Sequence, residues 1–192
     1  MTATSSPPVQ PRTATVVVLG GAPGSGKTTI GAALARLTGA ALLDQDTVTN
    51  PLIAQIAALT GAGDDLDHPS LRGPVREARY ACSRDTAAEI AGLGCPVVVV
   101  APFTAELRDP VAWQQFSALW GPSLLVAVTI DPAESLRRRL SRGEVRDRKL
   151  FGAPPPPAGA ELGRHVDVVL DGALAVESLV AEILSTAGLL LR

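Results

Sequence analysis

Residues 20–29 read Gly-Gly-Ala-Pro-Gly-Ser-Gly-Lys-Thr-Thr and directly follow the apolar run Thr15-Val16-Val17-Val18-Leu19. Gly21, Gly26, Lys27 and Thr28 fill the fixed places of the pattern G-x-x-x-x-G-K-[ST]. The flanks carry as much information as the pattern. A β-branched run before the glycines reads as a buried strand, and Ile30-Gly31-Ala32-Ala33-Leu34-Ala35-Arg36-Leu37 after them reads as a helix. Strand, glycine loop and helix in that order aim several backbone N–H groups at one anion. Glycines let the main chain approach phosphate oxygens without a Cβ in the way. In such a loop Lys27 lies against the β- and γ-phosphates, and the Thr28 hydroxyl is a ligand of Mg²⁺. The pattern therefore predicts binding of a nucleoside triphosphate through Gly21, Gly24, Ser25, Gly26, Lys27, Thr28 and Thr29.

Composition narrows the setting. A chain of 192 residues is most simply one domain with a single core, here 46% hydrophobic and 19% charged. No apolar stretch approaches the length that spans a bilayer. A net charge of −2 provides no general attraction to nucleic acid or to an anionic membrane, so neither is an expected partner. The first dozen residues contain no apolar segment of the secretory kind, and residues 1–13 read as a disordered tail. Cys82 and Cys95 suit neither C-x-x-C spacing nor a disulfide framework, and they read as buried thiols of a cytoplasmic protein. His68 and His165 lie far apart without a cysteine cluster, which argues against zinc. Lysine occurs only at Lys27 and Lys149 in an otherwise arginine-based set of cations, so Lys27 stands out.

Apolar runs of strand type fall at 16–19, 40–43, 97–101, 124–130 and 166–170, with helical patterns at 27–38, 48–60, 75–93, 111–120, 133–141 and 174–187. Strands alternating with helices predict right-handed crossovers and an α/β fold: a three-layer αβα arrangement about a mainly parallel sheet. Near-continuous apolar strands such as Val97-Val98-Val99-Val100 fit a sheet covered on both faces. The turn-rich stretch 61–69 is expected over the edge of the site, and Pro154-Pro155-Pro156-Pro157 forms a stiff extended segment.

In a parallel αβα sheet the ligand sits beyond the carboxyl ends of the strands. After the second run come Asp44-Gln45-Asp46. In an extended segment the two acids would point to the same side. Asp44 would then hold Mg²⁺ and Asp46 would accept the proton of an attacking hydroxyl. Either acid also suits the N-cap of the helix that follows. No acid ends the third run, where Ala101-Pro102-Phe103-Thr104 stands; Phe103 is a candidate lining residue of an acceptor pocket or an ordinary packing residue. The stretch 137–149 is the densest positive run, with Arg138, Arg142 and Arg146 four residues apart and Gly143 as a possible hinge. Closing such a segment over a triphosphate would neutralise charge on the transferred phosphoryl group, with Arg142 and Arg146 as first choices. Arg72 and Arg76 are candidates for acceptor binding in the stretch 71–80, beside Arg79 and Tyr80.

These residues resemble the small P-loop kinases of the shikimate kinase and gluconate kinase type. They are also similar to chloramphenicol phosphotransferase and to the AAA-like kinases of small metabolites. The resemblance covers about residues 15–187 and rests on the loop 21–28, the Asp-x-Asp after the second strand and the arginine-rich stretch before the last. It implies a five-stranded parallel sheet in a P-loop domain spanning 14–192, with a lid at about 141–158. It also implies a magnesium-side role for Asp44, an acceptor-side role for Asp46 and a lid arginine at Arg142 or Arg146. The triple glycine that shikimate kinases carry after the third strand is replaced by Ala101-Pro102-Phe103, and the histidine-containing lid signature of gluconate kinases is absent.

Together these features predict an ATP- and Mg²⁺-dependent kinase acting on a hydroxyl of a small molecule, as a monomer or homodimer. Two other readings remain open: a nucleotide-dependent switch, and a nucleotide kinase whose acceptor is a phosphate clamped by Arg72 and Arg76. A guanine-reading N-K-x-D run is absent.

Overall fold

A computed structural model describes residues 15–62, 68–71, 73–142 and 161–187. Five parallel strands form one sheet: β1 (Val16–Gly21), β2 (Ala41–Asp44), β3 (Val97–Val100), β4 (Ser123–Thr129) and β5 (Val168–Asp171), in the order β2-β3-β1-β4-β5. The helices are α1 (Lys27–Thr38), α2 (Gln45–Thr60), α3 (Pro74–Gly92), α4 (Pro110–Ser117), α5 (Pro132–Arg142) and α6 (Val176–Ala187). This is the αβα P-loop fold that the alternation of patterns predicts.

Alternation along the strands sorts the core into two layers. Val17, Leu19, Val98, Val100, Val126 and Leu170 face α1 and α6 in one cluster. Val16, Val18, Val97, Val99 and Leu125 face α3 and α4 in the other, with Tyr80, Phe103, Phe116 and Trp120. Each fully buried aliphatic side chain contributes about 1.5–3 kcal/mol. The centre of the sheet is thus a rigid base for the loops at its carboxyl edge.

Local signals set the helix ends. Asp44 caps α2 by accepting from the backbone N–H of Asp46 and Thr47, so this helix begins at Gln45, three residues before the periodic pattern suggests. Asp109 and Asp131 accept from the first-turn N–H groups of α4 and α5, each just before a proline. Cys82 and Cys95 are exposed, contrary to the expectation of buried thiols: apolar packing on α3 is taken by Tyr80, Ala87 and Ala91 instead. The tail 1–13, most of the 61–69 stretch (63–67), the four prolines and nearly all of the 141–158 segment lie outside the described residues.

Candidate active site

The loop between β1 and α1 lies at the carboxyl edge of the sheet, where the Gly21 N–H donates to the Pro102 carbonyl (3.0 Å). Its backbone is left-handed at Gly24 (φ 79°) and Gly26 (φ 100°). A Cβ at Gly24 would also sit 3.0 Å from the Ser135 carbonyl oxygen, so both conformation and space demand glycine there. Ser25 is fully buried, and Gly21 closes β1 behind the loop. The Lys27 ammonium rests on the Ala22 carbonyl (2.7 Å), within reach of the space the loop encloses.

Across from the loop, the Thr28 hydroxyl donates to Asp44 Oδ2 at 2.8 Å. The other Asp44 oxygen accepts the α2 cap bonds. One carboxylate therefore fixes the helix and faces the loop together, combining the two roles that the sequence leaves as alternatives. Asp46 sits on the first turn of α2 rather than on an extended segment, because the chain turns helical directly after Asp44. Arg79 of α3 grips Asp46 at 2.7 Å and also donates to Thr49 and Asn50, each at 2.8 Å. This ion pair holds the orientation of Asp46 and leaves 43% of its side chain exposed to the cleft.

A cleft of about 240 Å³ unites these groups. Gly24, Gly26, Lys27, Thr28, Thr29, Asp44, Asp46, Arg76 and Arg142 all line it, so sequence-chosen residues from four separate segments converge. Gln45, Arg79, Tyr80, Pro102 and Arg139 line it as well. Basic side chains outnumber acids around this space, which suits a polyanion. Arg72 and Arg146 lie outside the described residues.

Phe103 is a correction. Its ring is fully buried, 5.5 Å from Tyr80 and 5.1 Å from Phe116, and it does not line the cleft. A left-handed backbone (φ 47°) and a hydrogen bond from its N–H to the Tyr80 hydroxyl (3.2 Å) turn it inward. Burial of a large aromatic surface outweighs that local strain.

The arginine run divides differently from its four-residue spacing. Arg138 is held by Glu134 (2.7 Å) and by the Gly172 carbonyl (3.0 Å), whereas Arg139 and Arg142, three apart, face the cleft. Hydrogen bonds from Arg137 and Arg138 hold the Glu134 carboxyl down to about 2. Arg79 and Arg139 fall in the two stretches that the sequence marks, but the sequence reading chose neither as a site residue. Their signal was present as i,i+3 spacing to Arg76 and Arg142.

Burial shapes two further groups beside Arg76. The Tyr80 hydroxyl, bonded by Arg76 (3.3 Å), is pushed above its ordinary range by burial. Burial likewise pushes Glu106 up; its Oε2 has no hydrogen-bond partner among the described residues.

The AAA domain family matches residues 16–151. The chain belongs to this family. Solved structures align with nearly its whole length. A sugar kinase from Janibacter sp. HTCC2649 shares 20% identity over 92% of this chain and 95% of its own, with a TM-score of 0.64. A gluconokinase from Sinorhizobium meliloti 1021 shares 20% identity over 93% and 95%, with a TM-score of 0.57. Shikimate kinase from Aquifex aeolicus vf5 shares 17% identity over 90% and 96%, with a TM-score of 0.53. At such identities the likeness is one of fold, and the fold of this AAA domain protein is that of the small-molecule P-loop kinases. No curated protein matches the chain. Among the described residues no helix is long and apolar enough to cross a membrane.

Proposed function

We propose that this AAA domain protein is an ATP-dependent kinase that transfers the γ-phosphoryl group to a hydroxyl of a small molecule. One observation carries the reading: Asp46 and the phosphate loop share a single cleft, with the Thr28–Asp44 contact between them. The loop amides and the Lys27 ammonium would neutralise the phosphates. Thr28 and Asp44 offer a hydroxyl and a carboxylate oxygen, a hard donor pair that fits Mg²⁺, which takes one or two protein oxygens and completes its shell with phosphates and water. Bound there, Mg²⁺ would supply positive charge to the polyphosphate.

Asp46, held by Arg79, would accept the proton of the attacking hydroxyl. Arg139 and Arg142, which line the same cleft, would stabilise charge on the transferred group, with Arg146 as a further donor. Arg76, with Arg72, would contact the acceptor.

The test is phosphoryl transfer from labelled ATP across sugars, nucleosides, hydroxy acids and antibiotics. Asp46→Asn should lower transfer by about 10²–10⁴-fold with ATP affinity nearly intact. Full activity in that variant removes Asp46 from the chemistry. Lys27→Ala should weaken nucleotide binding and turnover together. A second reading, a phosphate acceptor, is favoured by Arg76, which bonds the Tyr80 hydroxyl, lies over its ring, and forms no ion pair with a carboxylate among the described residues. Nucleoside monophosphates in the same screen decide between the two.

A further inference from the structure

Helix α2 is apolar on both sides. Its inner face, Ile53 and Ala57, packs with Ala62, Leu71 and Val75. Its outer face presents Val48 (38% exposed), Leu52 (68%), Ile56 (37%) and Leu59 (87%). The spacing of these four puts them on one stripe about 17 Å long. The helix has one charged residue, Asp46 in its first turn, and residues 47–60 have none. A contiguous exposed apolar stripe marks an interaction surface.

We propose that the outer face of α2 is a self-association surface, and that a second copy of this chain pairs with it helix to helix about a two-fold axis. The absence of charge carries the choice of partner. Two-fold pairing sets a surface against its own copy, so a charged stripe would meet like charge, whereas residues 47–60 meet only neutral side chains. The whole chain carries a net charge of only −2, which opposes association weakly. A membrane-surface helix carries Lys and Arg beside its apolar face, and α2 has neither. Nucleic acid and charged peptides find no counter-charge there. The stripe offers a few hundred Å² against the roughly 800 Å² per partner of a standard interface, so the dimer is a weak one that forms as concentration rises.

Sedimentation equilibrium of the full chain over a concentration series tests this. The wild type should show a monomer–dimer equilibrium that survives high salt, because apolar contacts are not screened. Leu52→Glu with Leu59→Glu should weaken dimerisation by roughly 30-fold or more, while Leu52→Met with Leu59→Met keeps it. If the charged variant fails to fold, Ile56→Cys in a Cys82→Ser, Cys95→Ser background should form a disulfide-linked dimer on mild oxidation, and Leu93→Cys should not. A wild type that stays monomeric to its solubility limit overturns the proposal, whether α2 is covered by residues of its own chain or by another protein. So does a dimer that persists in the folded glutamate variant, or an Ile56→Cys chain that does not cross-link. None of these results depends on phosphoryl transfer.

Discussion

Ser135 donates its hydroxyl hydrogen to the Pro23 carbonyl at 2.8 Å, joining α5 to the phosphate loop across 112 residues of sequence. Ser135 is almost fully buried, and its own carbonyl faces Gly24. Ser135→Ala leaves the Pro23 carbonyl without this partner, a loss of about 1 kcal/mol. ATP affinity, measured by calorimetry, should fall about 5-fold. An unchanged affinity would mean that α5 does not help set the loop.

Asp44 divides its two oxygens between the α2 cap and Thr28. Asn caps as well as Asp does, so Asp44→Asn should hold thermal stability while turnover drops. Asp44→Ala loses both functions and should also cost about 1 kcal/mol in stability. Paired thermal melts and rate measurements separate the effects; equal melting losses in both variants would contradict the cap assignment.

Arg79 makes three side-chain hydrogen bonds, to Asp46, Thr49 and Asn50. Arg79→Met should cost about 2 kcal/mol in denaturant unfolding and depress turnover more than ATP affinity. Arg79→Lys should not restore turnover, because a point ammonium cannot reproduce the planar fork. Full rescue by lysine would show that charge alone suffices.

Burial raises the Glu106 carboxyl above its ordinary 4.5. The folded state therefore holds this proton more tightly than the unfolded chain does. Its contribution is fully present below 4.5 and declines as pH rises through the raised value. Glu106→Gln should remove that decline, so the variant gains stability relative to wild type as pH rises above about 4.5. Urea unfolding over a pH series reads the difference; parallel pH profiles would rule Glu106 out as its source.

Much of the fold was legible because its signals are local. Val97–Val100 reads as a strand buried on both faces, and Lys27–Thr38 follows its glycine loop at the predicted bounds. The convergence of Asp44 and Asp46 with the loop was legible from strand-end position, although the geometry was not. Asp44 satisfies the backbone of α2, and that cap turns Asp46 onto a helix. Phe103 misled because its place after a strand suggests display, whereas the aromatic cluster with Tyr80 and Phe116 draws it inward. No local pattern encodes such a cluster, since its members come from α3, α4 and the loop between β3 and α4. The division of labour among Arg138, Arg139 and Arg142 depends on Glu134 and on the Gly172 carbonyl, a partner supplied from beyond β5.

Gly172 packs against the Ser25 carbonyl so closely that a Cβ there would collide with it. The rear of the phosphate loop is thus walled by a stretch that emerges late during synthesis. A growing chain on the ribosome has its glycine loop long before it has this wall. Any nucleotide that the loop binds would therefore meet this wall only after the chain has passed residue 172.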